Sequence, residues 1–145
     1  MALGAIVDTI ADESYTVELL ASTGAANGAP SGATAGIDIS LLRRLGKLPD
    51  KVRVGIKSTA GSGAMTVTLR TWLYAGDVWF VAKAHAASSA APQTAVAIAE
   101  TSTDAIAYSE VVSGISGASR MYLEIVSSPG GSGTTVTGYA IVGRQ

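Results

Sequence analysis

Hydrophobic and polar residues alternate one by one in several short stretches of this 145-residue chain. A period of two marks a strand with one face in a core and the other in water. It is clearest from Lys51 to Ser58, where Val52, Val54 and Ile56 point one way and Lys51, Arg53 and Lys57 the other. Thr66 to Tyr74 repeats it, with Val67, Leu69 and Leu73 on one face and Thr66, Thr68, Arg70, Trp72 and Tyr74 on the other. Ala75-Gly76-Asp77 reads as a turn, and VWFVAK as the returning strand. Residues 84–92 read as a loop of small residues. YTVELLAS (Tyr15 to Ser22), RMYLEIVS (Arg120 to Ser127) and TTVTGYAIV (Thr134 to Val142) predict further strands. TAVAIAE and DAIAYSEVV are strand candidates whose alanine content leaves a helix open. In IDISLLRRLGKLP, Ile37, Ile39 and Leu41 make one strand face, or Ser40 caps a short helical turn ending at Gly46. The reading adopted is a strand running into a short turn.

Glycine punctuates these stretches. TGAANGAPSGATAG (Thr23 to Gly36) is a long loop of small residues. No amphipathic helix is apparent. About eight to ten short strands at close spacing predict an all-β fold, an antiparallel β-sandwich with jelly-roll-like topology and Gly-rich hairpin loops. Residues 1–14 read as an N-terminal arm, with Asp8, Asp12 and Glu13 as a solvated acidic cluster, and residues 15–145 as a single β-sandwich domain. A chain of this length buries roughly 70% of its unfolded surface, enough for one core.

The loop in STAGSGAMTVTLRTWLY raises the question of phosphate binding. A P-loop requires a lysine after its last glycine, and a dinucleotide loop opens a helix. Gly61-Ser62-Gly63 leads into Ala-Met-Thr-Val-Thr, a strand, and Gly130-Gly131-Ser132-Gly133 leads into Thr-Thr-Val-Thr. Both are therefore expected to be hairpin loops. They belong to an internal echo: VRVGIKSTAGSGAMTVTLRTWLY and MYLEIVSSPGGSGTTVTGYAIVG share the order strand, Gly-Ser-Gly loop, Thr-Val-Thr, aromatic strand.

Composition narrows the chemistry. With no cysteine, the chain has no disulfide, thiolate metal site or cysteine nucleophile. A net charge of −1 supplies no global attraction to nucleic acid or acidic membranes. Charged residues are 14% of the chain, against roughly 25% in soluble domains. So few charges suit a surface covered by neighbours. MALGAIVDTIADES has no basic leader, and no apolar run is long enough to span a bilayer, so neither a signal peptide nor a membrane segment is expected.

No catalytic, cofactor or metal constellation stands out. His85, the one histidine, lies in AKAHAASSA and reads as an exposed loop residue; no GxSxG frames a serine, and the acids are scattered. Two features remain. Arg43, Arg44, Lys47, Lys51, Arg53 and Lys57 carry six of the ten basic charges. They form either a solvated strand face or a docking patch for an acidic protein surface; a nucleic-acid site would interleave aromatics for stacking. Trp72, Tyr74 and Trp79 form core, a subunit interface, or an exposed sugar-stacking platform.

LPDKVRVGIKSTAGSGAMTVTLRTWLYAGDVWFVA and SSPGGSGTTVTGYAIVG resemble small virion proteins of tailed bacteriophages, over residues 48–83 and 120–143. The resemblance implies a jelly-roll head decoration (cement) protein, located in the virion after synthesis in the host cytoplasm. Such a protein binds the major capsid protein or other virion proteins, often as a trimer, without enzyme activity or cofactor. The alternatives are a tail, baseplate or fibre component, or a carbohydrate-binding β-sandwich. In this setting the 23–36 loop and the N-terminal arm are expected to order against a neighbour.

Overall fold

The alternating stretches form strands. The computed structural model describes residues 6–10, 14–40, 52–59, 65–89, 108–127 and 135–143. Among these are nine strands: β1 (Ile6–Ile10), β2 (Ser14–Thr23), β3 (Ile37–Asp38), β4 (Val52–Thr59), β5 (Met65–Ala75), β6 (Val78–Ser89), β7 (Tyr108–Val112), β8 (Arg120–Ile125) and β9 (Thr135–Gly143), with a 3-10 turn at Ile115–Gly117. The protein is all-β. Five strands form one antiparallel sheet in the order β1-β2-β9-β4-β7, and four form a second in the order β3-β8-β5-β6.

The pairings are nested in sequence. β2 pairs with β9, β3 with β8, β4 with β7 and β5 with β6. Successive pairs alternate between the two sheets. Links within sheets, β4 to β9 and β5 to β8, join one pair to the next.

The period of two explains what is buried. Val17, Leu19, Val52, Val54, Ile56, Val136 and Ala140 come from the five-stranded sheet, and Val67, Leu69, Leu73, Met121, Leu123 and Ile125 from the four-stranded one; all belong to one core cluster. At roughly 1.5–3 kcal/mol for each fully buried aliphatic side chain, this shared core is the main force holding the layers together. Gly138 marks where they approach closely: a Cβ there would overlap Leu123 Cδ2 and crowd Leu20 Cβ.

Several expectations need correction. The Gly61-Ser62-Gly63 and Gly130-Gly131-Ser132-Gly133 loops lie outside the described residues, but the strands they join are placed. β4 and β5 belong to different sheets, as do β8 and β9. Both connections therefore cross from sheet to sheet and are not hairpins. The echo is one kind of crossover used twice. The two copies run side by side, since Thr59, ending β4, is paired with Thr135, opening β9.

The segment expected as a loop from residue 84 is strand as far as Ser89, and it carries His85 opposite Leu69. Pairing with β5 along its whole length overrides the poor strand preference of alanine. The turn between these strands is as predicted: Gly76 and Asp77 both have positive φ, 60° and 62°. That is the geometry a two-residue type I′ hairpin demands.

Ser40 is not the cap of the turn after β3. Asp38 is, since its Oδ1 accepts the Ser40 N–H at 2.8 Å. In the segment read as an arm, β1 adds to the edge of the five-stranded sheet through β2, with an irregularity between Ile6 and Asp8. Of the two alanine-rich candidates, the second supplies β7; TAVAIAE lies outside the described residues.

Candidate functional site

The outward face of the four-stranded sheet gathers four of the chain's eight aromatic residues, Trp72, Tyr74, Trp79 and Tyr122. Because Val67, Leu69 and Leu73 face the core, Arg70, Trp72 and Tyr74 of β5 face away from it. The same parity on β8 turns Arg120, Tyr122 and Glu124 outward. Register then makes direct neighbours of Tyr74 and Arg120, Trp72 and Tyr122, and Arg70 and Glu124. On the other side, β6 sets Trp79 against Tyr74 and Val81 against Trp72. The result is a grid three strands wide.

The rings touch. Tyr74 and Trp79 have centroids 5.0 Å apart and are tilted by 50°. Trp79 meets Tyr122 edge to face at 6.1 Å. Both arrangements suit the quadrupoles of the rings. The polar tips are engaged as well. Trp72 Nε1 donates to Glu124 Oε1 at 2.8 Å, and Trp79 Nε1 donates to the Gly32 carbonyl at 2.8 Å. Arg70 lies 3.9 Å from the same Glu124 oxygen and is largely exposed, so this ion pair adds little. Burial, then the Glu124 carboxylate, pushes the Tyr122 phenol above its ordinary pKa.

The 24–36 loop packs on this face. Asn27 imitates a strand residue: its Nδ2 donates to the Leu123 carbonyl, and its Oδ1 accepts the Ile125 N–H at 2.7 Å. It thereby continues the edge of β8 beyond the point where the two-residue β3 stops. Arg120 donates to three consecutive carbonyls, Ala35 from Nε at 2.7 Å and Thr34 and Gly36 from one terminal nitrogen at 3.0 Å each. The Tyr122 hydroxyl donates to Gly28 O at 2.9 Å. Contrary to expectation, the loop is ordered against its own sheet.

Trp72, Tyr74 and Trp79 are therefore brought together, and they are half-buried on an outer face, not in the core. Sequence reasoning missed Arg120, Tyr122, Glu124 and Asn27 as parts of this face. The alternation in RMYLEIVS put the first three on one side, but only the β5–β8 register shows beside what.

Arg43, Arg44, Lys47 and Lys51 lie outside the described residues. Arg53 is half-buried and alternates with the buried Val52 and Val54, so it is on the outer face of the five-stranded sheet, away from the aromatic grid. Lys57 is paired with Thr137 on β9. His85 lies on β6, and its side chain is outside the described ones.

That outer face holds a second polar group. Glu18 and Tyr139 are directly paired and only 5% and 3% exposed, and Glu18 Oε2 has no hydrogen-bond partner. Burial, then Glu18, raises the Tyr139 phenol pKa, against a hydrogen bond with Thr137 that lowers it. Among the described residues, no three His, Cys, Asp or Glu side chains converge as metal ligands would.

Compared with protein-family models, curated proteins and solved structures, the chain matches none.

Proposed function

We propose that this chain is a non-enzymatic virion structural protein that binds the outside of a phage capsid and stabilises it, as a jelly-roll decoration protein. The observation that carries the reading is the strand order. Four pairs nested in sequence and alternating between two sheets support the reading of one long antiparallel ribbon wound on itself as a jelly roll. The phage resemblance of the sequence over residues 48–83 and 120–143 supports the same reading. A sandwich with a pinned surface loop is a rigid block, and a rigid block loses little entropy on docking. Few charges lower the desolvation cost of broad contacts with the major capsid protein. Repeated attachment across a lattice turns modest single contacts into high avidity.

The test is co-sedimentation with phage heads stripped of their accessory proteins. Saturable binding at a fixed ratio to the capsid subunit, with heads that resist heat better, is the expected result. Heads that never retain the protein overturn the reading.

One observation favours a second reading, a carbohydrate-binding module such as a tail or fibre component carries. Trp72, Tyr74 and Trp79 are on an outer face and partly accessible. Aromatic faces of this kind stack on sugar rings. Quenching of tryptophan fluorescence by host-surface polysaccharide, lost in Trp72→Ala, supports it; unchanged fluorescence removes it.

A further inference from the structure

Separately from the capsid reading, we propose that the outer edge of β6 is a contact between two copies of this chain, paired antiparallel about a two-fold axis at Phe80. β6 ends the four-stranded sheet, and no described strand pairs with its other side. It also carries the exposed large hydrophobic residues of the described structure: Val78 at 58%, Phe80 at 43% and Val81 at 41%. An edge that is long, apolar and nearly uncharged is a template for another strand.

The composition of β6 selects a second copy as the occupant. An axis at Phe80 sets Phe80 against its own counterpart, Val78 against Ala82 of the other copy, and Trp79 against its Val81. The faces agree. Phe80 and Val78 are paired with Leu73 and Ala75 on the inward side of β5, whereas Trp79 and Val81 are paired with the outward Tyr74 and Trp72. Ala82 packs against the core. Inward residues therefore meet inward ones, and outward meet outward, as a continuous sheet requires.

Charge agrees too. Asp77 and Lys83 lie at opposite ends of the apolar stretch, so antiparallel pairing puts the acidic end of one copy towards the basic end of the other. The irregular register between Thr71 and Trp72, which leaves Ala82 unpaired as a bulge, bounds the contact on one side. The type I′ turn bounds it on the other. The contact is isologous, and it joins two four-stranded sheets into one.

The experiment is light scattering over a concentration series, joined to cysteine crosslinking. The chain has no cysteine of its own, so single substitutions report without background. Dimer is expected at high concentration, and Val81→Lys lowers association about tenfold or more while the far-ultraviolet spectrum stays native. Mild oxidation is expected to link Phe80→Cys to itself rapidly, because directly opposed Cβ atoms lie about 4.5–5.5 Å apart. Val78→Cys, two pairs off the axis, links slowly. A chain that stays monomeric, a trimer, a dimer indifferent to Val81→Lys, or equal crosslinking at both positions each overturns the proposal. None of these readouts involves phage heads, so failure here and failure of the capsid reading are told apart.

Discussion

Arg120 decides how the 24–36 loop sits, because one guanidinium satisfies three successive carbonyls. Arg120→Ala is expected to cost about 1–3 kcal/mol and to open the loop to protease. A urea melt and limited digestion check both. Arg120→Lys should recover only part, since an ammonium lacks the fork. Gly36 and Gly28 make a sharper contrast. Both have positive φ, but a Cβ on Gly36 would overlap the Met121 carbonyl, whereas Gly28 has open space. Thermal melts should show Gly36→Ala costing about 3 kcal/mol or more, and Gly28→Ala only ~1–2 kcal/mol. Two phenols, the half-buried Tyr122 and the buried Tyr139, predict a pH effect. Tyr122 and Tyr139 are raised in the fold, while an unfolded tyrosine titrates near ~10. Above that value the unfolded chain releases protons first. Their contribution is thus complete below about pH 10 and declines as pH rises through the folded values. Phenolate absorbance should show Tyr122 and Tyr139 titrating late. The sequence placed Arg120, Tyr122 and Glu124 on one side of a strand. Their partners, from 52 to 94 positions away in the chain, left no local trace.

Strands and their faces were the most legible elements. Val52, Val54 and Ile56, or Val67, Leu69 and Leu73, are buried as their spacing required. Membership of a sheet was not legible, because a Gly-Ser-Gly loop between two strands looks the same whether it turns back or crosses over. The extent of β6 was hidden for a related reason: AHAASS has no strand preference of its own and becomes strand through β5. Position in the sheets sets how firmly each element is held. β9 lies between β2 and β4, and β5 between β8 and β6, whereas β1, β6 and β7 are edges. Hydrogen exchange should follow that order, with amides of β9 and β5 slowest and those of β1 fastest. Slowing of β6 amides with rising protein concentration belongs to the two-fold contact.

At the scale of the whole molecule, the aromatic grid and Arg53 occupy opposite outer faces, so a docking partner and a second ligand would not compete for one surface. The nested pairing has a further consequence for how the molecule comes into being. The two strands latest in sequence, β8 and β9, are interior to their sheets. A chain cut before Thr135 leaves β2 and β4 without the strand between them. It should show no cooperative unfolding by circular dichroism, although only one of nine strands is gone. The same holds on the ribosome, where the amino-terminal strands emerge first. Until residue 143 clears the exit tunnel, β1-β2 and β4-β7 are separate fragments with open edges. The two sheets thus close in a single late step, once β9 is available.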